Sequence, residues 1–309
     1  MGCGSSANSV QATPALVIVG GEEQIGEDWT RSTKIEVYRL LGCTFLKSFD
    51  LPGKNGHNLI GGYSVSGHSS KPLIFITGGY YKEDKEPTQE FWKINLSQSP
   101  NESYMEQLPD MPVAMKDHKS CILTSDNEAF LYIVGNKNIS LRFNFSSETW
   151  EHLPKLPEEM AIIQGLHYVA GILYCMGGGS MYSHKPSEGI KGSWNMCIDD
   201  NSFPHGLTAD AAGKIYTFAT GKSLHEFEPQ SRLLSKVCDI NPLDIQGHGA
   251  MVGFGDRTNS YLYFTGEHKK DTKVDVNRVI EFDLEMHRAV VAGYLKHKNH
   301  GHIGLIVLM

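Results

Sequence analysis

Five histidines are spaced so that they could meet at one place. His57, His118, His205, His248 and His302 each open a segment that precedes a short apolar strand, and Ile163 takes the sixth such place. Imidazoles converging on a common axis could hold a metal ion. The same rings could instead close local hydrogen bonds, and that is the expectation here, with no metal site. His297 and His300, in HKNHGH, read as part of a solvated loop. At the other end of the chain, Gly2 with Ser6 fits the N-myristoylation pattern and Cys3 is placed for S-palmitoylation, so these two residues are candidate lipidation sites. One acyl chain holds a protein to a membrane only marginally, and a second makes the attachment stable. Gly221-Lys222-Ser223 resembles the end of a phosphate-binding loop, but Tyr216 stands where its first glycine belongs. No nucleophile elbow, HExxH pair or acidic calcium loop is present. No catalytic residue and no cofactor are therefore expected.

The rest of the composition narrows the classes. The 309 residues carry a formal charge of -7, with 20% charged and 40% hydrophobic residues. An acidic balance lacks the cationic term that supplies most nucleic-acid affinity, which argues against such a partner. Cys3, Cys43, Cys121, Cys175, Cys197 and Cys238 are scattered with no CxxC pair, and the last five are expected as reduced core residues. Asn-x-Ser sequons begin at Asn95, Asn101, Asn138 and Asn144, without a signal peptide ahead of them. The longest apolar runs are too short to span a bilayer.

An internal repeat positions everything else. The hexapeptides LVIVGG (16 to 21), IFITGG (74 to 79), LYIVGN (131 to 136), LYCMGG (173 to 178), IYTFAT (215 to 220) and LYFTGE (262 to 267) are β-branched and aromatic runs, mostly ending in glycine. Most are followed by a second strand with a central aromatic: IEVYRL, EFWKIN, SLRFNF, SLHEFE and VIEFDL. In the fourth unit GSWNMCI (192 to 198) fits this place poorly. Prolines close a further strand, as in TWEHLPKLP (149 to 157) and YMEQLPDMP (104 to 112). Four strands per unit, repeated radially, predict a propeller blade. The doublet glycines, the TxxWxxLP stretch at Thr149 to Pro154 and MPxxxxxH at Met111 to His118 resemble kelch repeats. The expected fold is therefore all-β, a six-bladed kelch-like β-propeller over 15–309 behind a flexible acylated tether at 1–14. GHIGLIVLM (301 to 309) should supply the strand missing from the first unit and close the ring.

Two functions compete at this stage. The preferred one is a membrane-anchored interaction propeller, a scaffold or adaptor expected on the cytoplasmic face of the plasma membrane, presenting loops to a cytosolic or cytoskeletal protein. The alternative, implied by the kelch resemblance, is an oxidase or sugar-processing enzyme with its site at the central channel. The chain enters at the start of a second strand, so it should emerge on the face opposite the loops that join second to third strands. Those loops, at 22 to 34, 80 to 90, 179 to 192 and 267 to 277, carry the candidate partner-binding residues Trp29, Tyr80, Tyr81, Met181 and Tyr182. Lys269, Lys270, Lys296 and Lys298 are expected on that outward face too, away from lipid.

Overall fold

The computed structural model describes residues 13–309 except 26–27, 55, 69, 83–84, 125–127, 136–137, 158–159, 161, 199–205, 220–222, 240–249, 256–259, 266–276, 298 and 301. It is a six-bladed β-propeller, each blade a four-stranded antiparallel sheet. From the channel outward, blade 2 runs Gly61–Gly67, Leu73–Tyr80, Phe91–Asn95 and Met105–Leu108. Blade 3 runs Lys119–Thr124, Ala129–Gly135, Ile139–Asn144 and Thr149–His152. Blade 4 comprises Ile163–Val169, Ile172–Gly177, Ser180–His184 and Asn195–Ile198. Blade 5 comprises Gly206–Ala211, Lys214–Ala219, Ser223–Glu228 and Leu233–Asp239. Blade 6 has Ala250–Gly255, Ser260–Thr265, Arg278–Asp283 and Arg288–Tyr294.

Blade 1 closes the ring as expected. Its innermost strand is Ile303–Leu308, paired antiparallel with Pro14–Val19, followed by Lys34–Arg39 and Thr44–Asp50. Thr13 and Met309 extend this ladder, since the Thr13 N–H donates to Met309 O at 3.0 Å and the Met309 N–H to Thr13 O at 2.9 Å. All six hexapeptides are second strands. Their described residues are buried on both faces of the sheet because each blade is covered on either side by a neighbour.

Two devices lock successive blades. At the channel end, His118 at the start of blade 3 shares a hydrogen bond through Nε2 with Thr77 Oγ1 of blade 2, at 2.8 Å. His302 of blade 1 makes the same bond with Thr265 Oγ1 of blade 6, at 2.7 Å. The local hydrogen-bonding reading of these two histidines is thus correct. Gly78 is required beneath the first clasp: it has φ +57°, and a Cβ there would collide with the Met115 carbonyl and lie 2.7 Å from His118 Cε1. At the rim, aromatic residues near the start of outer strands reach back to the preceding blade. Tyr104 OH donates to Asp50 O at 3.4 Å, Trp150 Nε1 to Pro109 O at 2.9 Å, and Trp194 Nε1 to Pro154 O at 3.0 Å.

Trp194 also corrects the reading of blade 4. The segment 192 to 198 leads into the outermost strand, and the third strand is Ser180–His184, reached directly across Gly178 and Gly179. Met181 and Tyr182 are therefore strand residues, fully buried against blade neighbours, and cannot present a loop surface. The long excursion of this blade lies at 185 to 194, between third and fourth strands, and contains a 3-10 turn at Pro186–Lys191. The loop at 22 to 34 likewise differs from a simple loop, since Glu22–Ile25 and Asp28–Arg31 form a hairpin joined by Asn299–His300. His57 does not open an inner strand. It is exposed in a small ribbon, Gly53–Lys54 with His57–Asn58, and Tyr63 stands opposite Gly78 in blade 2. His205, His248, Lys269, Lys270 and Lys298 lie outside the described residues.

Candidate functional site: a cleft at the channel mouth

The clasp histidine also lines a cleft. Where the links between blades meet the loops that join second to third strands, a cavity of about 550 Å³ opens at the axis, bordered by Arg31, Tyr63, Tyr80, Asp117, His118 and Lys119. Each side chain is delivered by a recognisable element. Arg31 ends the hairpin of blade 1, Tyr63 sits beside the glycine pair Gly61-Gly62, and Tyr80 ends the second strand of blade 2. Asp117, His118 and Lys119 lead into the inner strand of blade 3, with Asp117 held at φ +56° and its N–H donating to Gly62 O at 2.7 Å.

Two cations border the site, each beside a carboxylate. Arg31 pairs with Glu22 at 3.2 Å, and Lys119 faces Asp117, whose charge opposes the burial that lowers the lysine pKa. Burial raises the Tyr63 phenol, partly offset by the Arg31 charge. Burial, reinforced by Lys119, pulls His118 down to about 3, so its ring is neutral throughout the physiological range. Lys116 Nζ lies 5.7 Å from the Tyr80 ring centroid and donates to Lys85 O at 3.0 Å, which steadies that ring at the rim. Guanidinium, ammonium and phenol donors around one concavity suit a carboxylate or another oxyanion.

The expected partner-binding residues divide. Tyr80 lines the cleft; Tyr81 is beside it, half-buried, its hydroxyl donating to Glu90 Oε2 at 2.5 Å while Trp92 Nε1 donates to the same oxygen at 3.0 Å. Trp29 lies in the hairpin strand that ends at Arg31. Met181 and Tyr182 are not part of any such surface, as their burial shows. Arg31, Tyr63 and Lys119 were not singled out from sequence. The available signal was positional: Lys119 directly follows the clasp histidine at the mouth of an inner strand.

The opposite face collects the other turns. One cavity there, of about 610 Å³, joins Ala170 and Ala212-Gly213, between first and second strands, to Gln230 and Leu284, between third and fourth. Another, of about 680 Å³, brings Gly213 and Gly255 together with Leu308 at the end of the closing strand. Pro14 and Leu308 therefore lie on the face away from the charged cleft. Among the described residues no helix is long and apolar enough to cross a membrane, and no group of three His, Cys, Asp or Glu is assembled as a metal site.

Comparison with known proteins adds to the fold alone. No family model matches the chain, and no curated protein matches it. Among solved structures, a protein of unknown function from Bacteroides caccae is similar over 96% of this chain and 99% of its own, with a TM-score of 0.56 and 15% identity. The chain belongs with β-propellers by shape, and its chemistry must be argued from its own residues.

Proposed function

We propose that this is a kelch-like propeller that serves as an acyl-anchored interaction module, held to the cytoplasmic face of a membrane by its N-terminus and engaging a protein partner at the channel-mouth cleft. The observation that carries the reading is the strand order: Pro14 starts its strand on the face opposite the cleft, so an anchor at Gly2 and Cys3 leaves the cleft facing the cytosol. Removal of Met1 frees the Gly2 amine, which attacks the thioester carbonyl of an activated fatty acid, forming an amide and releasing the thiol. The Cys3 thiol exchanges onto a second thioester in the same sense. The Gly4 to Pro14 segment reaches no more than about 40 Å even when fully extended, which keeps the blades close to the bilayer. The partner presents an acidic group to Arg31 and Lys119, flanked by Tyr80 and Tyr81. Membrane fractionation tests the anchor: Gly2→Ala releases the chain to the soluble fraction, and Cys3→Ser leaves it weakly and reversibly attached. A Gly2→Ala chain that stays with membranes contradicts the proposal.

A further inference from the structure

The face that carries Pro14 and Leu308 is not chemically uniform. Four of its outer turns each expose one large aliphatic side chain: Leu41 of blade 1 is 86% exposed, Met286 of blade 6 is 71%, Leu233 of blade 5 is 60% and Ile190 of blade 4 is 58%. All four stand in or directly beside the turn between third and fourth strands, and because blade 6 adjoins blade 1, the four blades are consecutive around the ring. Each tip also has an exposed cation within two residues: Arg39 beside Leu41, Lys191 beside Ile190, Arg232 beside Leu233 and Arg288 beside Met286. Over these turns with one strand residue on each side, 39–44, 184–195, 228–233 and 283–288, the cations are Arg39, Lys185, Lys191, Arg232 and Arg288, against Glu188, Glu228, Asp283 and Glu285. The matching turns of blades 2 and 3, at 96 to 104 and 145 to 148, expose no large apolar side chain and contain Glu102 and Glu148 with no lysine or arginine.

An aliphatic group next to a long cationic side chain is the pattern of a surface that meets a lipid headgroup region. The apolar group enters the acyl boundary and the cation remains with anionic headgroups. The occupant follows from where the chain emerges: Pro14 begins on this face, within the short reach of the acyl sites. We infer that the outer tips of blades 4, 5, 6 and 1 form a membrane-contact rim for an anionic bilayer, tilting the propeller so that blades 2 and 3 stand off the surface. This rests on the anchoring proposed above for the occupant, and its test is made without acylation.

Unacylated full-length chain is mixed with vesicles of phosphatidylcholine containing 30% phosphatidylserine, at millimolar lipid. Binding is expected at this lipid concentration, too weak to survive the washing of membrane fractionation, and it falls at least tenfold in the Leu41→Ser/Met286→Ser variant and on replacing the anionic lipid with phosphatidylcholine. Depth is read with brominated lipids: a tryptophan placed as Met286→Trp is quenched beyond the background of the native tryptophans, whereas one placed as Ile162→Trp, exposed on the cleft face, is not. The same quenching from a chain whose Gly2→Ala variant still fractionates with membranes would remove the acyl anchor and leave the rim supported. Loss of membrane fractionation in Gly2→Ala without quenching at position 286 would keep the anchor and overturn the rim. Tip variants that abolish self-association or protein capture while vesicle binding is unchanged would also overturn it, assigning these tips to a protein contact.

Discussion

Blades 2 and 3 differ from blades 4, 5, 6 and 1 in where their apolar side chains go. Every seam has inward apolar contacts, but in the first pair the outer turns expose no large apolar side chain, and aromatic residues gather in one cluster: Phe91 packs on Phe143 and Trp150, with ring centroids 5.0 and 5.4 Å apart, and the Trp150 indole is tied to Pro109. Their outer turns present polar side chains; Asn144 Oδ1, for example, accepts from the N–H groups of Ser146 and Ser147 at 2.8 and 3.2 Å. In the other four blades, outer tips and strands leave Leu41, Leu46, Ile190, Met196, Leu233, Met286, Val290 and Val291 exposed. The same four-stranded frame therefore supports two kinds of edge. One is finished for packing and solvent, and the other retains apolar surface that a partner or a bilayer can cover.

The largest effect should come from the seam that makes these regions one body. Deleting His302 to Met309 removes the inner strand of blade 1 together with the His302–Thr265 clasp. The cooperative thermal transition is expected to disappear for all six blades, and a surviving transition assigned to blades 2 and 3 by hydrogen exchange would show that the two regions fold separately. A smaller contrast separates two glycines of similar backbone conformation. Gly78, at φ +57°, is crowded by Met115 and His118, whereas Gly178, at φ +59°, has open space where a Cβ would lie. Gly78→Ala should cost about 3 kcal/mol or more and Gly178→Ala about 1 kcal/mol, measured by denaturant unfolding.

Acid should next distinguish the clasp. His118 is held neutral by burial, with its pKa down to about 3, whereas in the unfolded chain it titrates at its ordinary value near 6.5. Between these values the unfolded state binds a proton that the native state does not, so stability falls as pH falls from about 6.5 toward 3, by at most about 1.4 kcal/mol per pH unit from this group. His118→Gln should be less stable at pH 7.5 and yet lose less on acidification to pH 4, as read by urea unfolding at each pH. The smallest effect is expected at the tips themselves: Leu41→Ser or Met286→Ser should leave unfolding free energy within about 0.5 kcal/mol, because neither side chain is packed.

Much of the frame was readable because the hexapeptide repeat is a packing requirement. Residues such as Leu131 to Val134 must be apolar at every position when both faces of the strand are covered, and the shortage of one strand in the first unit matched the surplus of one at the C-terminus. Blade 4 was misplaced because the segments after the hexapeptides at 16 to 21 and 74 to 79 are long, and 179 to 192 was given the same length. The correcting signal was Ser193-Trp194, which parallels Thr149-Trp150 and marks an outermost strand. The cleft was less legible, since Arg31, Tyr63 and Lys119 come from three successive blades and meet only once those blades pack side by side. The rim was not legible, because a single aliphatic residue in a turn carries no sequence mark of its exposure.

Hydroxyl-radical footprinting of the acylated full-length protein on anionic vesicles, read by mass spectrometry, addresses the two-faced account most directly. The account predicts that Leu41, Ile190, Leu233 and Met286 lose most of their oxidation relative to free protein, while Ile162 and Tyr80 at the cleft are oxidised as before. Protection of the cleft residues with undiminished oxidation of the four tips would contradict it.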